Sequence, residues 1–181
     1  MSHTSDTDTV LPGNGHVFGN FHQYYSFHPP TARTALFPPS FFRLLWESDG
    51  RPSTYRILDV GCNEGDLTRK LGDLAKEQLP EDVKIEVYGT DIDTELIARA
   101  NNKKKTSEKE GTPDLLLEFF SGDFLSMDGL ERFYGRLHFV SVFSATMWFH
   151  LNHGDDGLRT LIDRCTRLLV RILFDCSSFL V

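Results

Sequence analysis

Two stretches of this chain gather side chains whose types and spacing suit chemistry. SATMWFHLNHGDDG, residues 144–157, holds Trp148, His150, Asn152, His153 and Asp155 within one short span. Imidazoles and a carboxamide donate hydrogen bonds without a permanent charge, so they can orient an anionic oxygen and leave it nucleophilic. YRILDVGCNEG, residues 55–65, places Asp59 ahead of Gly61, Asn63 and Gly65. Glycines there let the backbone turn sharply and let a ligand reach the main chain. His150, His153 and Asp155 also have the composition of a two-histidine, one-carboxylate metal site. An acid that follows glycine at the start of a helical pattern is more simply a cap, and no metal is expected.

The elements that must position these residues follow from periodicity. Ile57, Leu58 and Val60 form an apolar run of the kind buried on both faces of a sheet. A crossover helix is predicted over residues 66–78, ended by Pro80. A second strand spans 83–91. The next helix covers 93–100, with Leu96, Ile97 and Ala100 on one face, and dissolves into NNKKKTSEKEGTPD, where Lys103 to Lys105 read as a solvated helix end. Strands follow at 115–120 and 137–143. A last amphipathic helix is marked by Leu158, Leu161, Ile162, Cys165, Leu168 and Leu169. Alternating strands and helices define an α/β fold, Rossmann-like, with a mostly parallel twisted sheet and helices on both faces. Ligands of such sheets bind at the carboxyl ends of the strands, where both chemical stretches fall.

The spelling of the glycine turn selects the ligand. A dinucleotide fingerprint needs a glycine where Asn63 stands, and its pyrophosphate would be repelled by Asp59. A cationic sulfonium with an amino group suits that carboxylate, so the cofactor expected is S-adenosyl-L-methionine. Asp91 ends the second strand close to the ~20-residue interval at which an acid holds a ribose diol. Asp123 beside Phe124 suits an adenine, the carboxylate taking the exocyclic amine and the ring stacking on the base, although Asp123 could equally cap a helix.

Composition sets the outer bounds. With 181 residues, 40% hydrophobic and 25% charged, the chain suits one soluble domain. A net charge of −7 argues against nucleic-acid binding through a broad basic surface. Cys62, Cys165 and Cys176 lack metal or disulfide spacing and read as reduced thiols. No leader and no bilayer-spanning run is apparent, so a cytoplasmic location without membrane contact is expected. Residues 1–17 form a polar tail expected to be disordered, 18–50 an aromatic arm, and 55–175 the α/β core of a domain running to 181. Within the arm, Phe41, Phe42, Leu44, Leu45 and Trp46 are expected to pack, on a helix from residue 39 or 40 to about 46. Asn20, His22, Tyr24, Tyr25 and Arg33 suit base stacking or a cationic ligand, Arg33 being able to clamp a carboxylate or phosphate.

Five motifs now occur in order: FGNF-x-x-Y, FHPP, LDVGCN-x-G, DID and MW-x-HLNHGD. Together they resemble the bicoid-interacting class of RNA 5′-monophosphate methyltransferases. The resemblance implies a class I methyltransferase fold with S-adenosylmethionine held by Arg33, Asn63, Asp91, Asp123 and Phe124, and Phe143 at the pocket edge. To these the glycine turn adds Asp59, Gly61 and Gly65. The implied acceptor is the 5′-monophosphate of RNA, in histidine transfer RNA and precursor microRNA, with the enzyme acting as a monomer in the cytoplasm. His150, Asn152 and His153 are the expected phosphate-positioning residues, and Asn20, Tyr24 and Trp148 the expected substrate contacts. The family continues past its fifth strand with an acidic, proline and tryptophan motif, whereas here LLV runs into RILFDCSSFLV. The chain therefore reads as a C-terminally truncated form lacking the last strands, with Leu173, Phe174, Phe179 and Leu180 exposed.

Overall fold

The computed structural model describes residues 24–109 and 115–170. Asn20, His22, Cys176 and the apolar residues of the C-terminal tail lie outside that range. Four parallel strands, β1 (Thr54–Val60), β2 (Lys84–Asp91), β3 (Leu115–Ser121) and β4 (Phe139–Ser141), form one sheet in the order β3-β2-β1-β4. β1 is central: Ile57 pairs with Val87 on one side and with Phe139 on the other. Its alternating residues feed two cores, Tyr55 and Ile57 on one face and Leu58 and Val60 on the opposite one.

Helices α1 (Tyr24–Phe27), α2 (Pro30–Thr34) and α3 (Phe41–Ser48) precede the sheet; α4 (Asp66–Gln78) and α5 (Thr94–Lys109) make the crossovers from β1 to β2 and from β2 to β3. Leu67, Leu71 and Ala75 of α4 and Ile97 and Ala100 of α5 pack with Phe42 and Trp46 of α3 on one side. The other side is closed by a 3-10 turn, Leu130–Phe133, and by α6 (Thr146–Leu168), through Leu161 and Leu168. The connection direction therefore reverses between β1 and β4. That switch point opens a crevice outside the carboxyl ends of the two strands.

Five expectations need correction. α5 does not end at Ala100 but runs through the asparagines and lysines to Lys109, because the first true helix breakers, Gly111 and Pro113, come later. Lys103 is accordingly no solvated terminus: its Nζ meets Glu64 at 2.9 Å and Asp66 at 2.6 Å. β4 is shorter than residues 137–143, since Leu137 pairs instead with Leu169 and the chain turns away at Ser144, where φ is 57°. The stretch from Thr146 to His153 is helical rather than a loop, since it holds no glycine or proline before Gly154. Leu44 and Ile162 are exposed, lying off the buried stripes of α3 and α6.

Phe42, fully buried, stands edge-on to Tyr55 and Phe139 with ring centroids 6.1 and 5.5 Å away, and so anchors the arm to the sheet. Phe42→Ala should cost about 3–5 kcal/mol in denaturant unfolding. A loss below about 1 kcal/mol would mean that α3 contributes little to the core.

Candidate active site

The crevice holds a cavity of about 330 Å³. Val60, Gly61, Thr90 and Asp91 supply its floor from β1 and β2, Asp123 and Phe124 one wall, Tyr24, Tyr25 and Arg33 the arm side, and Trp148, Asn152 and His153 the α6 side. Gly61 has φ 76°, and a Cβ there would stand 2.8 Å from the Ala145 Cβ. Only glycine lets the turn lie this close to the start of α6.

Asp91 is buried at the end of β2 and accepts from the Asn63 amide at 2.8 Å and the Asp93 amide at 3.0 Å. Burial raises its pKa, against the pull of those backbone hydrogen bonds. Asn63, at φ 53°, closes its own turn by accepting from the Glu64 amide at 2.9 Å. Asp123 caps the turn that carries Phe124, accepting from the Leu125 amide at 2.9 Å and the Ser126 hydroxyl at 3.1 Å. Its cap geometry and its place on the cavity wall coexist in one residue. Arg33 reaches across the arm: its guanidinium donates to the Tyr24 hydroxyl and, at 2.8 Å, to Ser144 Oγ. It also lies over the rings of Tyr24 and Phe143, at 4.9 and 5.8 Å from their centroids.

Three expected contacts are not where sequence placed them. Asp59 does not line the cavity; it lies 1% exposed beneath the floor, accepting from Thr68 Oγ1 and Ser141 Oγ, each at 2.7 Å. Its position follows from strand alternation, which turns it under α4 while Val60 faces the opposite way. Gly65, at φ 80°, is buried at the start of α4, where a Cβ would fall 2.5 Å from the Phe119 ring. It packs closely there and does not line the cavity. His150 points away from the cavity, half exposed, with Nε2 3.0 Å from Asp155 Oδ1. Trp148, Asn152 and His153 do line the cavity, as do Tyr24 and Phe143.

Other contributors had no signature in the sequence. Ser144 joins Arg33 and Tyr24 only because the chain leaves β4 in a left-handed turn. Arg164 of α6 donates to the carbonyls of Phe124 at 2.8 Å and Met127 at 3.2 Å, holding the Asp123 turn in place. Glu64 receives Arg99 Nη1 at 2.9 Å besides Lys103; burial raises its pKa, but these two hydrogen-bonded cations prevail and hold it below the usual carboxylate range. This network ties α5 to the glycine turn. Among the described residues no group of three or more histidine, cysteine or acidic side chains is arranged to hold a metal, and no helix is long and apolar enough to cross a membrane.

A parallel sheet in this order, with a glycine turn and acidic strand ends around one crevice, defines a nucleotide-cofactor class of α/β protein. Residues 58–171 match the family described as "Methyltransferase domain". The chain is 33% identical to "Pre-miRNA 5′-monophosphate methyltransferase" of Danio rerio over 90% of its length, and 36% identical to the Xenopus laevis protein of that name over 94%. It is 36% identical to "RNA 5′-monophosphate methyltransferase" of Homo sapiens over 82% of its length. The chain belongs to the methyltransferase family that these proteins represent. It spans 66%, 71% and 54% of their respective lengths.

Burial pushes the Asp59 carboxyl up to about 6, with the hydrogen bonds from Ser141 and Thr68 opposing. Since the unfolded group titrates near 3.8, the folded chain binds the extra proton between about pH 4 and 6, and this residue's contribution falls as pH rises through that window. Asp59→Asn should remove the penalty. Its stability relative to the parent chain should climb by about 2 kcal/mol from pH 4 to pH 6 in denaturant titrations. A difference that stays flat with pH would show that the carboxyl titrates normally.

Proposed function

We propose that this chain is an S-adenosylmethionine-dependent O-methyltransferase whose acceptor is the 5′-monophosphate of RNA, with transfer RNA and precursor microRNA as substrates. The observation that carries the reading is one cavity with two chemically distinct sides. One side has the buried carboxylate of Asp91 and the pair Asp123 and Phe124; the other has the carboxamide of Asn152 and the imidazole of His153. The names borne by the relatives agree with it.

The residues present fit the cofactor. A floor with two carboxyls, Asp91 lining it and Asp59 below, favours a cation and disfavours a pyrophosphate. Gly61 leaves the main chain open to close approach. In this reading Asp91 takes the ribose diol, Asp123 the exocyclic amine of adenine, and Phe124 the face of the base. Arg33 meets the amino-acid carboxylate, Asn63 and Gly61 border the ligand through the main chain, and Phe143 closes the pocket edge. When bound, the cofactor supplies a methyl group on a sulfonium.

The chain's own residues then have a limited task. A phosphomonoester, with a second pKa of about 6, is already an anion near neutral pH, so no general base has to be provided. Asn152 and His153 orient the phosphate oxygen towards the methyl carbon, with Tyr24 and Trp148 bordering the acceptor side. Such donors hold the anion without the permanent charge of several arginines, which would blunt its nucleophilicity. We take residues 18–181 as one methyltransferase domain. The thiols of Cys62 and Cys165, both unpaired, suit a reducing compartment such as the cytoplasm.

Isothermal titration with S-adenosylhomocysteine should give saturable binding, weakened at least about tenfold in Asp91→Ala. Methyl transfer in the same preparation should require a 5′-monophosphate and fail on a 5′-hydroxyl RNA of the same sequence. Equal labelling of the two RNAs would rule out the terminal phosphate as acceptor. Cofactor binding without transfer to either would reduce the chain to a binding module.

A further inference from the structure

α6 is two helical segments across one break. At Gly154 the backbone takes φ 62° and ψ −160°, a combination open essentially to glycine alone. The segment after the break is anchored: Leu161 and Leu168 are buried, and Arg164 holds the carbonyls of Phe124 and Met127. The segment before it, residues 146–153, is a lip carrying Trp148, Asn152 and His153 on the cavity side, with Met147 and Leu151 largely exposed. Phe149 gives it one foothold, edge-on to Phe124 with centroids 6.5 Å apart.

The joint is specified by three further features. A Cβ on Gly157 would fall 2.3 Å from the His153 Cβ and 3.1 Å from the Phe149 carbonyl oxygen, so glycine is what lets the lip fold down against the anchored segment. His150 Nε2 meets Asp155 Oδ1 at 3.0 Å, strapping the lip to the first residue beyond the break. The Asn152 amide donates to the Trp148 carbonyl at 2.9 Å, which fixes its side chain along the lip. Asp155, Gly157 and His150 all stand outside the cavity lining.

We infer that Asp155, His150 and Gly157 are positioning residues for the phosphate-facing lip: they set where His153 and Asn152 stand over the cavity and touch no ligand themselves. The inference rests on the methyltransferase reading and gives the HGDDG motif a role that is neither metal ligation nor a simple helix cap. It also reassigns His150 from phosphate contact to strap. The cofactor side of the cavity, built from β1, β2 and the Asp123 turn, does not depend on the joint. Loss of the strap should therefore separate acceptor binding from cofactor binding.

The test compares Asp155→Ala, Asp155→Asn and Gly157→Ala in the whole chain. Three quantities are read: the Kd for S-adenosylhomocysteine, kcat and KM for a 5′-monophosphorylated RNA, and amide hydrogen exchange over residues 146–153 against 158–168. An exposed strap of this kind is weak, so Asp155→Ala should raise KM about fivefold, speed exchange only over 146–153, and leave the cofactor Kd within about twofold. Asp155→Asn, which can still accept from Nε2, should recover most of the KM. Gly157→Ala, displacing the lip itself, should lower kcat/KM about a hundredfold. Unchanged KM and exchange in Asp155→Ala would overturn the inference, as would a cofactor Kd that rises in step with KM. If the parent chain transfers no methyl to RNA, the functional reading falls; equal exchange over 146–153 in the parent and Asp155→Ala then overturns the joint as well.

Discussion

The site depends on a buried carboxylate that never meets the cavity. Asp59 is held by Thr68 from α4 and by Ser141 from β4, and so it pins together the central strand, its crossover helix and the strand on the far side of the switch point. A carboxylate is costly at 1% exposure unless its oxygens are satisfied, and here each oxygen has one hydroxyl donor. The geometry of the crevice follows. Gly61 stands two residues beyond Asp59 and Ser144 three beyond Ser141, so the two cavity walls are fixed from the same point.

Around that clasp the two faces of the sheet take different work. The face packed by α3, α4 and α5 holds the larger core and, through Glu64, Arg99 and Lys103, secures the glycine turn. The face packed by α6 and the 3-10 turn is smaller and carries the acceptor side. α6 belongs to both tasks: its anchored segment supports the Phe124 turn through Arg164, and its lip presents Trp148, Asn152 and His153. Cofactor and acceptor sides are thus served by one helix, but by the two segments that its glycine joint separates.

Much of this could be read from residues alone, and the failures have physical causes. Strands and crossovers were legible because β1 and β2 are buried on both faces and their runs are unambiguously apolar, while Gly61 and Asp91 fall at their carboxyl ends. Asp59 was misplaced because the glycine motif marks it as near the ligand, whereas strand alternation turns it beneath the floor. His150 was misplaced because a histidine-rich stretch gives no sign of which ring faces inward until its helical phase is known. The helical state of residues 146–153 was hidden by Gly154, which resembles a loop signal but acts as a single break. Ser144 and Arg164 contribute through backbone direction and a carbonyl cap, neither of which leaves a pattern in sequence.

The arm contacts bear on the order in which the molecule comes together. Tyr24 and Arg33 meet Ser144 across separations of 120 and 111 residues, over a sheet whose every pairing is parallel. Contacts of such span carry the largest loop-closure entropy and gain nothing until the strands between them have assembled. The sheet must therefore form before the arm can close on it. During synthesis Tyr24 and Arg33 emerge well ahead of Ser144 and must wait for it, so the ligand cavity closes only after the sheet between them has assembled.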